Sequence, residues 1–331
     1  MKDRNLRGEH GGMAFAVIAS CAIGAAAISA SLFLAGNRGA FASLTGSKTV
    51  TEAPLYATEE YGKRLFAQTV ELMGPDAQDP SMRMSGSRLA CGSCHLGSGM
   101  EPGTLTLLLA TEHYPRFSAR AGLKTDIEDR VNECMTRSMN GKALARTSPE
   151  MIALAAYIRS LGARNAAMGV SLRRVKEPGA FKTPKRAANL TAGKQVFLDR
   201  CSQCHGADGL GLLATENKAN GYVFPPLWGP DSFNDGAGMH RVLTAARFIK
   251  ARMPLGAATL NDDQAFDVAA YFNAQPRPEM PNLEQDYPDR TAKPVDNGYG
   301  PFADSFPLEQ HRYGPFQPIE AYYKSLKKPA K

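Results

Sequence analysis

The sequence predicts an all-α chain in which one helical plan occurs twice. Three observations carry this. Apolar residues recur at helical spacing, as in Ile152, Ala155, Ala156, Ile158 and Leu161. Strand signals are scarce throughout. The pentapeptide Cys-x-x-Cys-His occurs at Cys91–His95 and again at Cys201–His205, each time behind a short helical segment and ahead of a loop.

The first 42 residues stand apart: Lys2, Arg4 and Arg7 precede a nearly uncharged run from Met13 to Gly36, and Ala40-Phe41-Ala42 follows. This is the layout of an export signal. The run exceeds the ~7–15 residues of a cleavable apolar core and is long enough to span a bilayer. A signal peptide cleaved after Ala42 and a retained inner-membrane anchor therefore both stand open. A lipoprotein box at Ile18-Ala19-Ser20-Cys21 is opposed by the apolar residues that continue past Cys21. In every reading the body of the chain faces the periplasm.

Residues 43–165 form the first predicted domain. A helix over Tyr61 to Met73 leads into the first pentapeptide, a second helix spans Ile127 to Met139, and a third starts at Ser148-Pro149-Glu150 and runs to Gly162. Ser is a good N-cap there and Pro is tolerated at the first helical position. Residues 166–185 are basic, lack periodicity and contain Gly and Pro, as a linker does. The second domain, 186–277, repeats the plan: a helix over Ala192 to Asp199, the second pentapeptide, a Gly/Pro-rich loop from Gly206 to Pro230, and a helix over Met239 to Lys250. Its closing helix is announced by a capping box at Asn261 and Gln264, with Phe266, Val268, Ala269, Ala270 and Phe272 as apolar stripe. The tail, 278–331, is too rich in Tyr and Phe for simple disorder and is expected to wrap the domains. This order of elements resembles the small class I cytochrome c fold.

The pentapeptides name the cofactor. In a Cys-x-x-Cys-His motif the two thiols add to the vinyl groups of a haem and the imidazole becomes the proximal iron ligand. Cys91, Cys94 and His95 thus hold one haem c, and Cys201, Cys204 and His205 a second. Of the six cysteines this leaves Cys21, in the apolar leader, and Cys134, unpaired in an exported body.

The distal ligands follow from position. For the second haem the candidate is Met253, 48 residues after His205 and just before the closing helix, with Met239, His240 and Met280 as alternatives. For the first, Cys134 occupies the corresponding segment; iron ligation would explain an unpaired thiol, and Met139 or His113 are the alternatives. Arg130, Cys134 and Ser138 fall at i, i+4 and i+8 on one helical face. That face reads either as a cationic, hydrogen-bonding pocket over the iron-bound sulfur or as an ordinary polar surface.

Around these residues the chain resembles the dihaem thiosulfate dehydrogenases. The resemblance is carried by both pentapeptides, by Glu112-His-Tyr114-Pro-Arg-Phe, and by Glu133-Cys134 with Arg137-Ser138-Met139-Asn140-Gly141-Lys142. Phe248-Ile249-Lys250 with Met253-Pro254 and the tail segment Gln310-His311-Arg-Tyr313-Gly314-Pro315-Phe316 extend it. It implies cysteine ligation of the first haem by Cys134, pocket arginines at Arg120 and Arg130, and Ser138 and Lys142 beside them. It implies joining of two thiosulfates into tetrathionate, with electrons leaving through the Met253 haem to a small cytochrome or other periplasmic carrier. Some members have a lysine next to that methionine that exchanges with it. Here the neighbour is Arg252, a poor iron ligand because it stays protonated, and Lys250 is the nearest lysine.

Joining two dianions requires neutralisation of their repulsion, which Arg120, Arg130 and Lys142 supply. Two other classes stand beside this reading: a dihaem electron carrier without substrate chemistry, and a sulfur-oxidation cytochrome that conjugates thiosulfate to a carrier protein. The formal charge of +7 falls to +5 when the four basic and two acidic residues of the leader are removed. A basic body attracts small anions or an acidic electron partner. No basic run is interleaved with stacking aromatics, which excludes nucleic acid as a partner.

Overall fold

The computed structural model describes residues 58–103, 105–168 and 181–326. The leader with Cys21 and most of the predicted linker lie outside them. Among the described residues no helix is long and apolar enough to cross a membrane.

The first half contains α1 (Glu59–Ala67), α2 (Thr69–Met73), α3 (Ala110–His113), α4 (Ile127–Glu133) and α5 (Pro149–Met168). The second contains α6 (Leu190–Arg200), α7 (Ser202–His205), α8 (Val242–Arg252) and α9 (Asp262–Asn273), and the tail adds α10 (Leu308–Tyr313) and α11 (Gln317–Leu326). Two short antiparallel hairpins interrupt this helical plan: β1 (Arg116–Ser118) with β2 (Leu123–Thr125), and β3 (Leu212–Leu213) with β4 (Tyr222–Phe224).

One crossing device builds both halves. A Cβ added at Gly62 of α1 would lie 1.9 Å from the Ala153 carbonyl oxygen of α5, and one at Gly193 of α6 would lie 2.1 Å from the Asp267 carbonyl oxygen of α9. Only glycine permits backbones to approach so closely. One turn further on, Phe66 meets Tyr157 with ring centroids 5.5 Å apart, and Phe197 meets Tyr271 at 5.7 Å. The same quartet therefore fixes the first helix of each half against the last; the second pentapeptide starts directly after α6, and the first comes after α2.

The helix starts follow local chemistry. Ser148 Oγ accepts from Met151 N at 3.2 Å, and Asn261 and Gln264 form the reciprocal box at 2.8 and 3.0 Å. Three helices differ from expectation, the first being the one over Tyr61 to Met73, which breaks at Gln68 into α1 and α2. Helix α5 runs through Gly162 to Met168, because Gly162 is not a stop: its missing side chain makes room for Thr111, whose Oγ1 would lie 2.1 Å from an added Cβ. The helix expected from Met239 begins only at Val242, after a 3-10 turn over Gly238–His240.

The tail is ordered and packed. Phe316 and Ile319 are fully buried, and Phe316 sits edge-on to Phe266 of α9 at 6.1 Å. Lys293 is buried, donates to the carbonyls of Tyr299 and Pro301 at 2.9 and 3.0 Å, and faces the rings of Tyr299 and Phe302.

Candidate active site

Helix α4 is launched by a capping box, with Asp126 Oδ1 accepting from Asp129 N at 2.9 Å and Asp129 Oδ2 from Asp126 N at 3.0 Å. The sequence reads as one helix to Met139, but the chain widens into a single π turn over Cys134–Ser138, closed by Met139 N donating to Cys134 O at 2.9 Å. Such turns concentrate at functional sites because they re-aim side chains.

Arg130, Cys134 and Ser138 all line one cavity, as do Cys91, Cys94 and His95 from the first pentapeptide, and its space including the mouth is about 1270 Å³. Tyr114, His113 and Met139 also line it. His95 Nδ1 lies 2.6 Å from the Leu105 carbonyl oxygen, which holds the proton on Nδ1 and leaves the Nε2 lone pair for other use. That imidazole and Cys134 line the same cavity. Burial pushes the Cys134 thiol up, but the Arg130 guanidinium and His95 more than offset this and bring it down to about 7. The charge of Cys134 is in turn the main cause that raises Arg130. Arg130 Nη1 bonds Glu133 Oε2 at 2.7 Å, and its side chain keeps 40% exposure, so it meets both cavity and solvent.

Arg120 does not line the cavity. It is nearly buried, with Nε 3.4 Å from Tyr287 Oη and 3.9 Å from Asp286 Oδ2. Burial lowers its pKa, and Tyr287, Tyr299 and Glu133 outweigh it and raise it, which places Arg120 in the field of the same Glu133 that holds Arg130. Lys142 is exposed and stands outside the cavity wall, its backbone N–H bonding Met84 O at 2.8 Å.

In the second half, His205 Nδ1 lies 2.8 Å from the Pro225 carbonyl oxygen, the same tether as His95. Cys201 and Cys204 are part-buried beside it. Met253 caps α8, is part-buried and packs against the core that also receives Cys201. Lys250 is engaged elsewhere, donating to Leu260 O at 2.8 Å, and Arg252 bonds Glu101 of the first half at 2.9 Å.

Among the alternative ligands the structure makes a correction. Met239, considered for the second haem, lines the first cavity together with Phe233. His240 instead faces a separate polar cavity and its Nδ1 is 2.8 Å from the Asp235 carbonyl oxygen. Met280 donates its backbone N–H to Asp235 Oδ1 at 2.7 Å. Residues that spacing did not point to are Phe233, Met239, Asn234, Asp286 and Tyr287, all more than ninety residues from Cys134 in the chain.

Both pentapeptides fit haem c: paired thiols, a histidine with Nε2 free of its tether, and at the first site an apolar-walled cavity.

Comparison with known proteins agrees. Residues 81–166 match the SoxA/TsdA cytochrome c domain model, and residues 188–272 the model of cbb3-type cytochrome c oxidase subunit III. The chain is 41% identical over 209 residues to a thiosulfate dehydrogenase of Psychrobacter arcticus, covering 62% of each protein. To the thiosulfate dehydrogenase of Allochromatium vinosum it is 38% identical over 241 residues, 71% of this chain and 86% of that protein. The solved thiosulfate dehydrogenase TsdBA of Marichromatium purpuratum superimposes with a TM-score of 0.60 at 33% identity, covering 71% of this chain and 50% of that one. With a haem c at each pentapeptide and these relatives spanning both halves, the chain belongs to the dihaem thiosulfate dehydrogenase family.

Proposed function

We propose that the protein oxidises thiosulfate, joins two of them into tetrathionate and passes the two electrons to an external carrier. The observation that carries this is that Cys134, His95 and Arg130 line one cavity, where the guanidinium charge lowers the thiol pKa. His95 and Cys134 would hold the iron of the first haem, and His205 and Met253 that of the second. When bound, the two haems supply one-electron acceptors, one for each electron released.

Cys134 is the nucleophilic sulfur. Its thiolate and the terminal sulfur of one thiosulfate form an S–S bond and together give up two electrons to the haems, leaving Cys134 as the thiosulfate adduct Cys–S–S–SO3⁻. The terminal sulfur of a second thiosulfate attacks the bound terminal sulfur. A new S–S bond forms, Cys134 leaves as thiolate, and tetrathionate is released. Arg130 meets the incoming dianion from the cavity, Ser138 offers a hydroxyl beside it, and Arg120 and Lys142 add positive charge from further out. Because every step reverses, the same residues serve tetrathionate reduction when the carrier's potential favours it.

In this reading 43–165 is the catalytic domain and 186–277 the exit domain, which hands electrons to a small periplasmic cytochrome or similar carrier, and the leader delivers the body to the periplasm. Cys134→Gly tests it: both haems should be retained by mass, while tetrathionate formation from thiosulfate should be almost abolished. Parental turnover in that variant would remove Cys134 from the chemistry. Thiosulfate consumed without free tetrathionate would favour conjugation to a carrier protein.

A further inference from the structure

The π turn that carries Cys134 is held from outside its own half. Asn234, from the loop between the second pentapeptide and α8, is 2% exposed and bonds the turn twice and Asn140 just past it once. Its Nδ2 donates to Thr136 O at 2.9 Å and to Asn140 Oδ1 at 3.1 Å, and its backbone N–H donates to Arg137 O at 3.1 Å. Its own Oδ1 accepts from Gly236 N at 3.1 Å, so the amide is oriented and cannot turn over without losing that bond. The neighbouring guanidinium of Arg137 closes the contact by donating to Gly236 O at 3.2 Å and, bidentate, to Asp286 at 2.7 and 2.8 Å. The same loop contributes Phe233 and Met239 to the cavity wall.

We infer that Asn234 is a positioning residue for Cys134: by binding the carbonyls two and three residues beyond the cysteine, the second half sets where the sulfur sits over His95. The physical ground is that a π turn widens the backbone, and buried carbonyls in it need donors from elsewhere. A reacting sulfur must be placed within a fraction of an ångström. The inference rests on the reading of Cys134 as reacting group and first-haem ligand. It adds that the first site is complete only when the second half is docked on it.

The test uses the full chain with both haems. Asn234→Ala removes the side-chain donor, and Asn234→Asp replaces it with an acceptor facing two oxygens. Asn234→Ser keeps a shorter donor. In Asn234→Ala the low-spin EPR signature and potential of the first haem should shift while those of the second stay put. Turnover should fall on the order of 10²-fold with KM little changed, as expected for a misplaced reacting group. Asn234→Asp should fall further and Asn234→Ser should lie between Asn234→Ala and the parent. If the parent shows a cysteine-ligated first haem and Asn234→Ala keeps its signature, potential and turnover, the inference is wrong while the reading of Cys134 stands. If the parent shows no cysteine-ligated haem, both fall. If none of the three variants takes up both haems, Asn234 serves folding rather than positioning, and the inference is overturned.

Discussion

The side chains of Cys134, Arg130 and His95 line one cavity. Burial alone would keep the thiol protonated, yet Arg130 and His95 bring it down to about 7. A thiol so poised forms the thiolate, the reactive species. Removing Arg130 withdraws both this stabilisation and the charge that receives a dianion. Arg130→Ala should cost on the order of 10²–10³ in turnover and Arg130→Lys should recover only part, because an ammonium cannot reproduce the guanidinium fork. Steady-state kinetics on variants matched for haem content checks this; parental rates in Arg130→Ala would return the arginine to the surface. Much of this site was legible, since the pentapeptides announce their ligands and Arg130, Cys134 and Ser138 share a face. Arg120 and Lys142 came through resemblance, and the structure sets them differently: Arg120 is held behind the wall by Tyr287 and Asp286, and Lys142 is out in solvent. No local rule pairs Arg120 with Tyr287, 167 residues away.

Among the elements, helices were readable where local chemistry starts them, as at Ser148 and at the Asn261–Gln264 box. The π turn was not, because the periodicity of Ile127 to Met139 fits a continuous helix and one of the donors that meets the widened turn, Asn234, lies 98 residues from the carbonyl it binds. Gly162 misled for a related reason: it reads as a stop but serves a close contact with Thr111. The glycine crossings can be tested in both halves. Gly193→Ala would set a methyl 2.1 Å from the Asp267 carbonyl oxygen, and Gly62→Ala one 1.9 Å from that of Ala153. Backbone against backbone cannot yield cheaply, so each should destabilise by about 1–3 kcal/mol, as overpacking does. Thermal unfolding of the holoproteins measures it, and unchanged midpoints would mean the helices do not cross there.

The two similar halves share one continuous apolar core and are tied further by polar contacts. Arg88 bonds Asp231 at 2.6 Å, Arg252 bonds Glu101 at 2.9 Å, and the buried Arg137–Asp286 pair ties the Cys134 turn to the tail. Asp286 also accepts from Tyr299 at 2.6 Å, so the pair is well satisfied, and breaking one member of such a pair typically costs about 3–5 kcal/mol. In the proposed reading the halves have separate tasks. Met253→Gly should therefore change the potential of the second haem and slow delivery to an external acceptor, while thiosulfate still reduces the first. Stopped-flow spectra that resolve the two haems would show it, and loss of all substrate-driven reduction would move the sulfur chemistry to the second half. The central claim, that Cys134 carries the first thiosulfate, is tested most directly by peptide mass. Holoprotein given one equivalent of thiosulfate and an electron acceptor, then quenched in acid, should yield a Cys134 peptide heavier by one thiosulfate unit, and excess thiosulfate should discharge it as tetrathionate. Steady formation of tetrathionate with the Cys134 peptide unmodified under every quench would contradict the account.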